Sequence, residues 1–185
     1  MTKGKIIFLN GVSSAGKTTL SKTLQHKLSS PYYWLSEDIF RSMTPHKFDN
    51  EDSDENEQIF LNAIYGMYHT AKMYSDIGMN TIIDTVLDDN IFLNKAVEIL
   101  HKNPTLFVHV TCPLEEMQKR EKERGDRLIG LAEEQLSLLC PLDGAYDITV
   151  DTHSETHEEC ADRIIKLLDC SENFSTFKTL WERTI

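Results

Sequence analysis

The stretch Gly11-Val12-Ser13-Ser14-Ala15-Gly16-Lys17-Thr18 follows the pattern G-x-x-x-x-G-K-[ST], a glycine-rich turn that leads into a helix. Residues 5–10 before it are mostly apolar and rich in isoleucine, which suits a buried parallel strand. Residues 18–28 after it repeat leucine at helical spacing. The strand, the turn and the helix therefore come in the order that a phosphate-binding loop requires.

This loop predicts a site for a nucleoside triphosphate. Gly11 and Gly16 allow the backbone to curl, so that successive N–H groups and the helix N-terminus face the phosphates. Lys17 is expected to bridge the β- and γ-phosphates, and Thr18 to bind magnesium. The predicted nucleotide contacts are Gly11, Ser13, Ser14, Ala15, Gly16, Lys17, Thr18 and Thr19. An ordinary turn before a helix is the alternative.

Composition limits the classes of protein that this chain could represent. Its 185 residues, of which 40% are hydrophobic and 26% charged, suit one soluble globular domain. The formal net charge of -11 disfavours a nucleic acid partner. Neither a leader segment nor an apolar run of about 18 residues is visible, which predicts a cytoplasmic protein with no membrane partner. The four cysteines lack metal-site spacing, which predicts free thiols and no zinc.

Strand and helix patterns alternate along the chain. Strands are predicted at residues 5–10, 32–36, 80–86, 105–112 and 147–150, and helices at 18–28, 39–43, 57–77, 90–101, from 113, and 156–168. The acidic residues 49–57 are predicted to form a loop. Such alternation is typical of an α/β fold, three layers in αβα order around a five-stranded parallel sheet. Ligands of such folds bind beyond the carboxyl ends of the strands.

Two carboxylates follow predicted strands at that edge. Asp38 comes after the second strand, where it can accept the proton of a reacting hydroxyl or simply cap the next helix. Asp84 ends the third strand, where it can hold magnesium near Thr18 or be a solvated acid.

A basic segment can supply the positive charge that an acidic chain otherwise lacks. Arg120 and Arg124 lie four residues apart on one predicted helical face, and Gly125 then interrupts the helix. Arg120 is expected to contact the nucleotide, and Arg124 and Arg127 to close over the transferred phosphate as part of a lid at about residues 119–131. The alternative is a solvated helix paired with Glu116, Glu121 and Glu123.

Six ordered motifs allow a family resemblance to be stated. They are Asn10-Gly11-x-Ser13-Ser14-Ala15-Gly16-Lys17, Asp38-x-Phe40-x-x-Met43, Ile82-Ile83-Asp84-x-Val86, Cys112-Pro113-Leu114-Glu115, Arg124-Gly125-Asp126-Arg127-x-x-Gly130 and Tyr146-Asp147-x-x-Val150-Asp151-Thr152. Together they resemble the chloramphenicol phosphotransferase family over residues 5–170. The resemblance implies a P-loop kinase that transfers the γ-phosphoryl group of ATP, with Mg²⁺, to a hydroxyl of a small molecule, and it implies Asp38 as the base. Lys17, Arg124 and Arg127 complete the expected catalytic set.

The chain end and a histidine pair remain outside these motifs. Residues 1–170 are predicted to form the kinase domain, and 171–185 an amphipathic extension. That extension is expected to pack on the domain, with a homodimer contact as the alternative. His153 and His157 have the spacing of metal ligands on a helix, but no third ligand is evident, so ordinary structural roles are favoured.

Other functions that use a phosphate-binding loop fit less well. A GTPase would need N-K-x-D, and Asn94-Lys95-Ala96-Val97 lacks the aspartate. A nucleoside monophosphate kinase must hold an anionic acceptor, yet Arg41, Lys47 and Lys72 are the only Lys or Arg residues between Tyr32 and Asn80. An uncharged acceptor is therefore expected, such as an antibiotic, a nucleoside or a sugar. A nucleotide-binding module without catalysis remains the alternative of a different class.

Overall fold

A central parallel sheet organises the computed structural model, which describes residues 2–44, 54–124, 130–141, 144–170 and 174–184. Its strands are β1 (Ile6–Asn10), β2 (Tyr32–Ser36), β3 (Asn80–Thr85), β4 (Thr105–Thr111) and β5 (Ile148–Asp151). The spatial order is β2-β3-β1-β4-β5, and every neighbouring pair is parallel. The predicted five-stranded parallel sheet is confirmed.

Helices cover both faces of the sheet. They are α1 (Lys17–Lys27), α2 (Glu37–Arg41), α3 (Asp54–Asp76), α4 (Asn90–Leu100), α5 (Leu114–Arg124), α6 (Leu131–Leu138), α7 (His157–Cys170) and α8 (Thr176–Thr184). Ile7 and Leu9 of the central strand β1 join the core on the side of α1 and α7, while Ile6 and Phe8 join the core on the side of α3, α4 and α8. Because successive strand residues point to opposite faces, β1 is fully buried and the fold has the predicted three layers.

Two details differ from the sequence-based expectations. Helix α3 already begins at Asp54, so residues 54–57 are helical and not part of a loop. Acidic residues stabilise a helix N-terminus through its dipole, which explains why an acidic segment starts this helix. Helix α6 was not predicted, because eight residues give too short a pattern to distinguish from a loop. Residues 49–53 lie outside the described part of the chain.

The C-terminal helix α8 packs on the sheet. Phe177 is buried, and its ring centroid lies 5.2 Å from that of Phe8 and 5.0 Å from that of Phe107. Asp147, just before β5, accepts hydrogen bonds from the backbone and hydroxyl of Thr176 at the start of α8. The packing of the extension on the domain is thus observed, while the domain boundary at residue 170 and the homodimer stay predictions. No helix in the described ranges is long and apolar enough to cross a membrane.

Candidate active site

The loop between β1 and α1 has the backbone that phosphate binding needs. A Cβ atom on Gly11 would lie 2.2 Å from the Val110 carbonyl oxygen of β4, so only glycine fits there. Gly16 has a φ of 92° and Ser14 a φ of 59°, both in the left-handed region. These turns curl the loop tightly against the end of the sheet. Within the loop, Gly11 and Ala15 are buried. Ser13, Ser14, Gly16 and Thr19 line a cleft.

Lys17 is held inside the curve of this loop. Its Nζ donates hydrogen bonds to the carbonyl oxygens of Gly11, at 2.7 Å, and of Val12, at 3.1 Å. The side chain is largely buried but still lines the cleft. An ammonium in this place suits an anionic phosphate chain, so the loop fits a nucleoside triphosphate.

Thr18 and Asp84 form the second feature of the site. The Thr18 hydroxyl donates a 2.9 Å hydrogen bond to the Asp84 carboxylate at the end of β3. Asp84 is only 6% exposed, so the alternative of a solvated acid is wrong. Burial raises the pKa of Asp84, although the Lys17 ammonium and the Thr18 hydroxyl act in the opposite direction. A hydroxyl and a carboxylate are the oxygen ligands that magnesium prefers, so these residues fit Mg²⁺.

Asp38 lines the same cleft. Ser36 is the N-cap of α2, because its hydroxyl accepts a 3.3 Å hydrogen bond from the Ile39 N–H. The alternative of Asp38 as the cap is therefore wrong. The Asp38 carboxylate is exposed along the cleft, and its charge lies near enough to Asp84 to raise the pKa of that residue.

The neighbouring Glu37 has a different environment. Its carboxylate accepts hydrogen bonds from the Thr85 hydroxyl, at 2.9 Å, and from the Val86 N–H, at 3.4 Å. The Arg41 guanidinium lies 3.9 Å from its other oxygen. Burial raises the pKa of Glu37, which these hydrogen bonds partly offset. Glu37 thus fastens α2 to the end of β3 and so places Asp38 at the cleft.

Arg120 joins α5 to the phosphate-binding loop. Its guanidinium donates to the Thr152 hydroxyl and carbonyl, at 3.1 and 3.2 Å, and to the Ser14 carbonyl, at 3.3 Å. Thr152 in turn donates to the carbonyl oxygen of Ala15 at 2.8 Å. Thr152 was not predicted as a site residue, although its position directly after β5 is a usable signal. The side chain of Arg124 and the whole of Arg127 lie outside the described part, so their catalytic roles stay predictions.

Glu121 contradicts the alternative of a solvated, ion-paired helix face for the acids of α5. Its side chain is fully buried. Its carboxylate accepts hydrogen bonds from the backbone N–H groups of Gly130, at 3.0 Å, and Ala132, at 2.8 Å. Glu121 therefore caps the start of α6. Lys119, by contrast, lies 4.0 Å from Glu116 on the surface, as expected of a solvated pair.

The cleft has a volume of about 1290 Å³, and we name two groups of its lining residues the nucleotide wall and the acceptor wall, after their proposed roles. The nucleotide wall consists of Ser13, Ser14, Gly16, Lys17, Thr18, Thr19, Arg120 and His157. The acceptor wall consists of Glu37, Asp38, Arg41, Thr44, Glu57, Phe60, Asp88, Phe92, Glu134 and Leu138. His157, for which an ordinary structural role is expected, packs beside Gly16, and its Nε2 atom would lie 2.9 Å from a Cβ atom added there.

Known proteins resemble this chain in sequence and in fold. An adenylyl-sulfate kinase of Clostridium acetobutylicum is 29% identical over 180 residues, which cover 90% of this chain and 84% of that protein. The fold is similar to the APS kinase of Mycobacterium tuberculosis in complex with AMPPNP and APS, with a TM-score of 0.70 and 17% identity over 91% of this chain and 99% of the other. It is also similar to the shikimate kinase of Acinetobacter baumannii in complex with shikimate, with a TM-score of 0.67 and 18% identity over 94% and 97%.

The family whose members are described as chloramphenicol phosphotransferase-like proteins matches residues 4–169. This span includes the phosphate-binding loop, Asp38, Asp84 and Arg120, and it leaves out α8. The chain therefore belongs to the chloramphenicol phosphotransferase-like family and is a phosphotransferase of the P-loop kinase type.

Proposed function

We propose that the protein transfers the γ-phosphoryl group of ATP to a hydroxyl of a small, uncharged molecule. The observation that carries this proposal is that Asp38 lines the same cleft as Lys17, Thr18 and Asp84, with its charge near enough to act on Asp84. A phosphate-binding loop alone would suit any nucleotide-binding protein. A carboxylate exposed in the same cleft as that loop is what a transfer to a hydroxyl needs in addition.

The residues can divide the reaction as follows. Lys17 and Arg120 hold the phosphate chain, while Thr18 and Asp84 would hold Mg²⁺, which supplies positive charge to the phosphate oxygens. Asp38 takes the proton of the acceptor hydroxyl, and the oxygen of that hydroxyl attacks the γ-phosphorus. The bond between the γ-phosphorus and the β,γ-bridging oxygen breaks. ADP leaves with the electron pair of that bond.

The charges of the acceptor wall support an uncharged acceptor. Glu57, Asp88 and Glu134 contribute negative charge there. Arg41 is the one cation among the described residues of this wall, and it already contacts Glu37 and lies 4.8 Å from the Phe60 ring centroid. An anionic acceptor would meet net repulsion on this wall, since like charges in a cleft disfavour binding.

Aromatic rings supply the apolar part of the same wall. The centroids of Phe60 and Phe92 lie 5.8 Å apart with their planes 83° to each other. Such a surface suits the ring or the apolar body of a drug-sized molecule, as in a chloramphenicol-like antibiotic. A nucleoside or a sugar is the second candidate, and the sequence similarity to an adenylyl-sulfate kinase favours testing adenylyl sulfate as well.

The substitution Asp38→Asn tests the proposed chemistry. Ser36 remains the cap of α2, so the amide leaves the helix intact but cannot take a proton. We expect ATP affinity and Tm to stay unchanged while turnover falls by about a hundred- to ten-thousandfold. Asp89→Asn is the matched control, because Asp89 also borders the cleft and an asparagine can still cap α4.

The acceptor is identified by measuring ADP release with chloramphenicol, nucleosides, sugars, aminoglycosides and adenylyl sulfate. Transfer by Asp38→Asn at the wild-type rate would exclude Asp38 as the base. ATP binding without ADP release from any acceptor would favour a non-catalytic nucleotide-binding module.

A further inference from the structure

A side chain of α6 is hydrogen-bonded to a backbone N–H of the phosphate-binding loop. The Oε1 atom of Gln135 accepts a 2.8 Å hydrogen bond from the Ser13 backbone N–H. Ser13 is 9% exposed, and both residues line the cleft. In a loop of this pattern the backbone N–H groups are the donors to phosphate oxygens. The amide oxygen of Gln135 therefore takes the place that a phosphate oxygen would need.

Helix α6 itself is fastened at both ends. Glu121 caps its start through the N–H groups of Gly130 and Ala132. Just after its end, Cys140 donates its N–H to the Leu87 carbonyl at 2.7 Å and accepts a 2.6 Å hydrogen bond from the buried Asn10 amide. Because both ends are anchored to buried groups, release of Ser13 requires rotation of the Gln135 side chain more than movement of the helix.

We propose that the Gln135 side chain competes with the phosphates of the nucleotide for the Ser13 N–H. Binding of the triphosphate turns the Gln135 side chain away from the loop, and release of the nucleotide lets it return. This inference rests on the proposed nucleotide site and adds to it a competing group from the chain itself.

The substitution Gln135→Ala removes the competing group. We expect the variant to bind ATP about two- to tenfold more tightly by calorimetry, the range that one lost hydrogen bond implies. In the nucleotide-free variant, the Ser13 amide hydrogen should exchange faster with solvent than in wild type. With ATP bound, exchange at Ser13 should be slow in both proteins.

Ser137→Ala is the matched control on the same helix. Ser137 is exposed, and its hydroxyl donates a hydrogen bond within α6, to the Glu134 carbonyl. Gln135→Leu is the second variant, for use if Gln135→Ala lowers the Tm, because leucine keeps most of the side-chain volume. Equal Ser13 exchange in wild type and both variants, with unchanged or weaker ATP affinity, would overturn this inference alone. Wild-type protein that fails to bind ATP at all would instead overturn the proposed function.

Discussion

The two walls of the cleft are built in different ways. The nucleotide wall comes mainly from one continuous stretch, residues 11–19, whose backbone curls because Gly11 and Gly16 permit it. The acceptor wall comes mainly from α2, α3, α4, α6 and the segment between β3 and α4, and side chains form its surface. A phosphate can be bound by backbone N–H groups of a fixed loop, whereas an organic acceptor needs a surface of particular shape and charge.

This difference predicts which substitutions affect ATP binding and which affect the acceptor. Substitutions on the nucleotide wall should alter the affinity for ATP with every acceptor. Substitutions on the acceptor wall should alter the KM for one acceptor and leave ATP binding unchanged. Gln135 is the exception, because it lies on α6, which contributes to the acceptor wall, and its amide oxygen accepts a hydrogen bond from Ser13 on the nucleotide wall.

Among substitutions on the nucleotide wall, removal of the Lys17 ammonium should have the largest effect on ATP binding and turnover. Lys17→Ala is expected to abolish measurable ATP binding and to lower turnover at least about a hundredfold, because one charged donor to the phosphates is lost. Calorimetry and ADP release measure the two effects. Lys22→Ala, an exposed lysine of the same helix, is the control. Wild-type ATP affinity in Lys17→Ala would contradict the assignment of this wall.

A change on the acceptor wall should be smaller and confined to the acceptor. Phe60→Leu keeps an apolar side chain but loses the aromatic contacts with Phe92 and Arg41. We expect the acceptor KM to rise by about fivefold, since the aromatic face that the acceptor would contact contributes on the order of 1 kcal/mol. ATP affinity should remain that of wild type. An equal loss of ATP affinity would show that the two walls do not act separately.

The smallest effect concerns thermal stability at Asp84, which accepts a hydrogen bond from Thr18 of the nucleotide wall. Burial holds the pKa of Asp84 in the folded protein above its ordinary value of 3.8, so the ionised carboxylate opposes folding at neutral pH. Asp84→Asn keeps an oxygen for Thr18 and removes that charge, so the Tm should rise by a few degrees at pH 7 while turnover falls. The gain should shrink as the pH falls through the folded pKa, and it should vanish below 3.8.

Scans of Tm against pH for wild type and Asp84→Asn measure this difference. Asp89→Asn should show no comparable gain, because Asp89 is exposed and caps α4. A lower Tm for Asp84→Asn at pH 7 would mean that the attraction of Asp84 to Lys17 outweighs the cost of its burial.

Local patterns predicted the elements of the fold but not all of their contacts. The five strands were placed within a few residues, because buried parallel strands are continuous apolar runs. Asp38 and Asp84 could be selected because each follows such a strand. The role of Glu121 could not be predicted, since a glutamate on a charged helix has the same sequence pattern whether it is solvated or caps a buried turn.

The sequence by itself determined the phosphate-binding loop, the layered α/β fold and the family, because each depends on a local pattern of residues or on ordered motifs. Only the tertiary structure decided the strand order, the contact of Arg120 with Thr152, and the hydrogen bond from Ser13 to Gln135. Those contacts join residues that are far apart in the chain. Packing of whole helices against the sheet brings such residues together, and no local spacing of residue types encodes that distance.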